Sequence, residues 1–390
     1  MDNFITECKA SQKPGARNAA LDDTIMHKGY QSAAGSKILE NFISPIDATV
    51  VTKLEAAGIS IVGKTIMDEF GVAGLFRDAR PLCGAVGAVA DSQASFALVN
   101  DCTGAIGGQA AKAGLCCIRP TYGTVSRYGL IPVVPSMDQI GIIAKTHEEG
   151  FEILKIIAGC DDKDGAMTTP ASMASDSGNS GPARTECSGN YATLRVGVPI
   201  NTFSRSSAPS TADAIKEFTK HFGTVDIEFM YFDVFAQIMQ ILCCAEFGSS
   251  ISRYDGIKFG YRAEGYSDLH QLYTKSRTEA FGADAKLAAL IGAMVLSRDN
   301  YMRYYDKAMR IRRLIKQSLD WNSYDAIIIP VDSGAGTEHG TADFCLALHA
   351  LPRLCGLPAV SFPFCGIEAM LVAGPGCEET LSTMLKAVGT

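Results

Sequence analysis

The sequence offers little that would hold it to a membrane or to nucleic acid. Residues Met1–Phe4 lack the basic and apolar regions of a secretory leader. No uninterrupted apolar stretch approaches the 18 or so residues of a spanning helix. Lys and Arg form no run. The densest basic group, Arg310, Arg312, Arg313 and Lys316, reads as one solvated helix face. A net charge of −7 adds nothing toward a polyanion. A cytoplasmic protein is therefore expected, with no membrane contact and no nucleic-acid surface. There is no CxxC pair among the 13 cysteines and no spacing that suits zinc, so neither a metal nor a cofactor is expected. The cysteines, including the adjacent pairs Cys116–Cys117 and Cys243–Cys244, read as reduced, core-filling residues. Histidine is scarce too: His27 is the only one in the first 146 residues.

What is present is an ordinary globular composition, 47% hydrophobic and 20% charged over 390 residues. After a short polar start broken by Pro14, Gly15 and Gly35, strand and helix patterns alternate without a clear linker or short repeat. Helices are expected over Ala48–Ala57, Glu148–Ala158, Thr211–Phe222, Phe235–Phe247, Ala285–Leu296, Asp299–Leu319 and Glu378–Val388. Strands are expected at Ile59–Val62, Ser95–Val99, Cys116–Arg119, Leu194–Pro199, Asp226–Met230, Tyr324–Val331, Ala359–Phe362 and Met370–Val372. Ala110–Ala113 suggests one helical turn, and Leu346–Leu354 a helix broken near Pro352. Residues 170–192, rich in Ser, Gly, Pro and Asn, read as a surface loop. The whole, 1–390, is expected to be one α/β domain whose central sheet carries helices on both faces.

Three stretches carry a resemblance to a known family. The first is Asn100–Gly123, NDCTGAIGGQAAKAGLCCIRPTYG. The second is SKILENFISPIDATVVTKLEAAGISIVGKTIMDEF, from Ser36 to Phe70, in which only Ile66 departs from the family pattern, which has Asn there. The third comprises Ser252–Arg262 and Thr274–Ser297. They resemble the amidase-signature family, Ser-Ser-Lys amide hydrolases, and within it the A chain of the tRNA-dependent amidotransferases. The likeness runs from about Ser36 to Val388, and the family's N-terminal helical region is largely absent. It implies the amidase-signature fold, a mixed twisted sheet between helices.

The family's chemistry needs a nucleophilic Ser, a bridging Ser and a neutral Lys as base. A hydroxyl is a poor nucleophile until a neighbouring base activates it, and backbone N–H groups then hold the oxyanion. By ungapped matching, the nucleophile falls on Ala105, the bridging Ser on Pro81 and the base on Asp22. No Ser lies between Gly71 and Asp91 to take the bridging role under a small shift. The former oxyanion loop is Asp101, Cys102, Thr103, Gly104, Ala105, Ile106 and Gly107. Thr103 replaces a Gly there, and Gly107 replaces an Arg. Two further positions are implied on the substrate side: Arg277, and Leu346, where glutamine-using members carry an acidic residue.

In enzymes of this general kind, losing the nucleophile or base alone costs roughly a millionfold. A catalytically degenerate protein that works by binding or assembly is thus the leading expectation. Its partner would be another protein, such as a B-type amidotransferase subunit, or further copies of itself. Two alternatives are an active amide hydrolase using other residues, Cys102 first, and a small-molecule binder using the emptied pocket, with an amide as the candidate ligand.

Overall fold

The computed structural model describes residues 3–8, 17–77, 82–167, 193–203, 209–331 and 341–390. The expected loop at 170–192 lies outside the described residues. Strands form wherever short apolar runs sit between turn residues. They are β1 (Phe4–Glu7), β2 (Asn18–Asp22), β3 (Ser60–Thr65), β4 (Phe96–Asn100), β5 (Cys116–Arg119), β6 (Ile140–Ala144), β7 (Arg195–Pro199), β8 (Gly223–Ile227), β9 (Ala326–Pro330), β10 (Ala359–Phe364) and β11 (Ile367–Ala373). They join in one mixed sheet of order β1-β3-β2-β4-β6-β5-β10-β11-β9-β7-β8. β2 runs parallel to both β3 and β4, and β7 runs parallel to β8 and β9.

The helices are α1 (Thr49–Ala56), α2 (Gly84–Ala90), α3 (Ala105–Lys112), α4 (His147–Ile157), α5 (Pro209–Thr219), α6 (Phe235–Ile251), α7 (Leu269–Ala280), α8 (Ala283–Leu296), α9 (Tyr305–Ser318), α10 (Thr341–Cys355) and α11 (Glu378–Val388). They cover both faces of the sheet, as alternate strand residues show. On β9, Ala326 and Ile328 enter one apolar cluster with α1, α4, α5 and α11, while Ile327 and Ile329 enter another with α6 and α10. On β4, Phe96 and Leu98 join the first cluster, and Ala97 and Val99 pack with α2 and α3. A strand buried on both faces must be apolar at every position, which is why AIIIP and FALVN lack polar alternation.

Several expectations need correction. β1 and β2 lie in the segment read as short and polar. The Cys83–Ala90 run is a helix, α2, and α3 starts at Ala105, five residues before the expected turn. β8 lies three residues earlier than expected, at Gly223–Ile227. α10 does not break at Pro352. It continues to Cys355, with Leu346, Leu348, Leu351 and Leu354 all buried, so packing outweighs the backbone hydrogen bond that Pro352 cannot donate. The stretch Phe232–Ile251 is apolar and long enough to cross a membrane, yet most of it is core, packed among α8, α9 and α10.

Candidate functional site

In open α/β sheets, sites form beyond the carboxyl ends of parallel strands. β3, β2 and β4 are such a set, ending at Thr65, Asp22 and Asn100. Asp22 and the loop Asp101–Gly107, both singled out by sequence, lie there.

Asp22, at the expected base position, is fully buried. One carboxylate oxygen accepts from the Thr24 N–H (2.7 Å) and hydroxyl, the other from the Asn100 N–H (2.9 Å) on the neighbouring strand. Burial outweighs these bonds and pushes its carboxyl up to about 6. Asp23 accepts from the N–H groups of Ala33 (3.0 Å) and Gly35 (3.2 Å), and lies 3.4 Å from Lys64.

Lys64 is the cation that sequence reading passed over. It is completely buried on β3, and its ammonium meets the Ile25 carbonyl (2.5 Å), the Ser32 hydroxyl (3.0 Å) and Asp23. Burial lowers its pKa against the pull of Asp23 and Asp22. With three donors and three acceptors, it has no lone pair to offer as a base. Its signal was a lone Lys in an otherwise apolar strand, SIVGKT.

Ala105 heads α3, so a methyl group stands at the position that sequence matching assigns to the nucleophile. The turn before it is left-handed at Gly104 (φ 96°). Thr103, expected to occupy the special backbone position, is not in that region. A Cβ on Gly104 would run into His349 of α10, and one on Gly108 would come within 3.3 Å of that imidazole. Thus a histidine 245 residues away in sequence packs over the turn at Gly104.

Asp101 anchors the loop. Its carboxylate accepts from the N–H groups of Gly104 (2.7 Å) and Gly107 (2.9 Å) and from Arg353 (2.9 Å). Arg353 also donates to the Asp101 carbonyl (3.3 Å), as does Arg119 (3.3 Å), which donates in addition to the Met137 carbonyl (2.7 Å). Burial alone would raise the Asp101 carboxyl, but Arg353 and the Gly107 N–H hold it below the ordinary carboxylate range. Burial and the like charge of Arg353 bring Arg119 down to about 9. At Gly107 a Cβ would sit 2.9 Å from the Ser361 hydroxyl and 3.5 Å from Asp101. Arg353, from α10, supplies the guanidinium that pairs with Asp101 beside Gly107. Beside it, a cavity of about 10 Å³ lined by Asp101, Gly107, Arg119, Gln139, Arg353 and Ser361 has room for about one water.

Cys102 and Cys83 are poor nucleophiles. Cys102 is buried, and burial, then Asp138, Asp101 and Asp68, raises its pKa well above the ordinary thiol value. Cys83 is pushed up to about 12 by burial. Reactive cysteines need the opposite, an electropositive and partly exposed setting.

Other expected positions lie apart. Leu346 is a buried apolar residue of α10. Arg277, on α7, donates to the carbonyls of Ile251 (2.8 Å) and Tyr254 (3.0 Å) and lies over the Phe281 ring (4.9 Å), so it closes the end of α6. Pro81 lies outside the described residues. Among the described residues, no three His, Cys, Asp or Glu side chains gather as a metal site.

Comparison with known proteins points the same way. The family model described as Amidase matches residues 19–75 and 83–365. The A chain of the glutamyl-tRNA(Gln) amidotransferase from Lachnoclostridium phytofermentans is 36% identical over 379 residues, covering 90% of this chain and 75% of the relative. Its counterpart from Bordetella avium is 34% identical over 394 residues, with 90% and 76% covered. The crystal structure of the Thermotoga maritima counterpart superposes with a TM-score of 0.74 at 23% identity, covering 99% of this chain and 86% of that one. The peptide amidase of Stenotrophomonas maltophilia gives 0.72 at 21%, covering 95% and 82%.

Proposed function

Because the chain belongs to the amidase family, we propose that it is a catalytically degenerate member, related to the A chains of amidotransferases, that acts by binding and assembly. The observation that carries this reading is the methyl group of Ala105 at the head of α3, at the position that sequence matching assigns to the nucleophile. Two others support it. At the expected base position stands an acid, Asp22, engaged by three hydrogen bonds and closed off from solvent. The loop's Gly104 and Gly107 N–H groups are committed to Asp101.

The relatives are by name subunits, and the partner proposed here is a further protein chain, in the cytoplasm. Hydrolysis through Cys102 is disfavoured by the buried, carboxylate-flanked setting of its thiol. The test is ammonia release from glutamine, asparagine and a panel of small amides, with Cys102→Ala and Ala105→Ser beside the unmodified protein. No release above the blank is expected from any of the three. Turnover that disappears in Cys102→Ala would replace this reading with a cysteine amidase. A melting shift with an amide, absent turnover, would replace it with a small-molecule binder.

A further inference from the structure

α8 is apolar on both sides, and its bulk is on the wrong one. The side packed on α6 carries Ala285, Ala288, Gly292 and Val295, all buried. At Gly292 the two helices come so close that a Cβ would run into the Cys244 carbonyl, and Gly248 lies opposite. The large residues face outward at helical spacing: Leu287 is 43% exposed, Leu290 69% and Met294 44%. A surface helix ordinarily places its large apolar residues inward, and a helix apolar all round is ordinarily covered. The surrounding charge says by what. Residues 283–318 hold eight Lys and Arg against three Asp, a net +5 in a chain whose total is −7. The turn after α8 folds back on its end, where Asn300 donates to the Met294 carbonyl (3.1 Å). Next to it a surface groove of about 520 Å³ is lined by Met302, Arg303, Tyr304, Asp306, Lys307 and Arg310. A two-fold contact between copies through this face would set Arg303, Lys307 and Arg310 against the same residues of the other copy, with only Asp306, already paired with Arg310 (2.8 Å), between them. A lipid surface would leave the groove unfilled.

From this juxtaposition we infer that the outer face of α8 and the adjoining basic groove form a docking site for an acidic amphipathic helix of a partner protein. Apolar residues of that helix cover Leu287, Leu290 and Met294, and its carboxylates meet Arg303, Lys307 and Arg310. The inference deepens the assembly reading above and rests on it.

The probe is a synthetic three-heptad helix with Leu at the a and d positions and Glu elsewhere, titrated against the full chain by fluorescence anisotropy. A second peptide carries Lys in place of Glu. The Glu peptide is expected to bind saturably and the Lys peptide not at all. Leu290→Asp with Met294→Asp is expected to weaken binding about tenfold or more, the loss of a central apolar anchor. Lys307→Glu with Arg310→Glu is expected to weaken it several-fold and flatten its dependence on salt. Both variants lie on exposed positions, and an unchanged melting temperature shows that the fold is retained. Equal binding of the two peptides, or binding indifferent to the α8 variant, overturns the inference. So does a dimer by light scattering that Leu290→Asp dissolves, since a second copy is then the occupant. Co-sedimentation with phosphatidylserine-containing vesicles that Leu290→Asp abolishes overturns it in favour of a membrane. Amide turnover by a chain that still binds the Glu peptide would sink the degenerate-enzyme reading and leave the docking site standing.

Discussion

At the scale of single residues, the buried acid Asp22 has a signature in pH. Folded Asp22 keeps its proton up to about pH 6 because burial disfavours the carboxylate, whereas an unfolded Asp releases it near pH 4. Between those values the folded state binds more protons. Its contribution to stability therefore falls as pH rises from about 4 to 6 and is constant above, by up to roughly 2–3 kcal/mol. Asp22→Asn should remove this fall, so that its urea-denaturation stability gains on the unmodified protein across that window. A constant difference between the two at every pH would show that Asp22 does not titrate there. The cysteines make a second residue-scale case. Cys160 and Cys365 are exposed, whereas Cys102, Cys117 and Cys243 are buried with thiols raised far from the reactive range. Iodoacetamide under native conditions should alkylate the first two and spare the other three, as read by peptide mass spectrometry. Much of this was legible in advance. The burial expected of the cysteines holds for Cys102, Cys117 and Cys243 and fails for Cys160 and Cys365, and Ala105 and Asp22 were singled out by motif. Lys64 and His349 were not. A buried lysine looks like a surface one until its three acceptors are located, and nothing in the sequence spacing brings His349 to Gly104.

Elements meet through a few specific contacts, and the Asp101–Arg353 pair joins the β4–α3 turn to α10. Both groups are buried, so removing one strands the other in a low-dielectric interior. Arg353→Met should cost about 3–5 kcal/mol in urea denaturation. Asp101→Asn combined with it should cost clearly less than the sum of the two single changes, because they share one interaction. Additivity would mean that the pair is not coupled. At this scale sequence patterns succeeded where side chains were large. β5 and α11 lie where their patterns placed them, Cys116–Arg119 and Glu378–Val388. They failed where side chains were small. GAVGAVA has no apolar stripe to distinguish helix from loop, and α2 forms because it packs against β2 and β4. β8, mostly exposed at the sheet edge, shows no clean alternation to set its limits.

For the molecule as a whole, the continuous sheet bears on cooperativity. If the chain is one domain, its halves should unfold together. Trp321, the only tryptophan, packs on Gly374 and Tyr324 at the β9–β11 side. Its fluorescence and the far-ultraviolet circular dichroism of the whole chain should trace coincident urea transitions. Two separated transitions would divide the chain into independently folding parts. The amidase-signature fold itself was readable, because long stretches such as Ser36–Phe70 carry enough identity to fix strand, turn and helix together. The outward face of α8 was not, since its pattern looks equally apolar whether it is covered by its own chain or by another.

The pairing of Asp101 with Arg353 also limits what position 107 can become. An arginine introduced at Gly107 would enter a space closed by Ser361 and find Asp101 already paired. The effect of such a change is therefore conditional on position 353, harmful while Arg353 holds the carboxylate and tolerable only once it is gone. The two positions are bound by sign epistasis, so neither can be exchanged for the other by single steps.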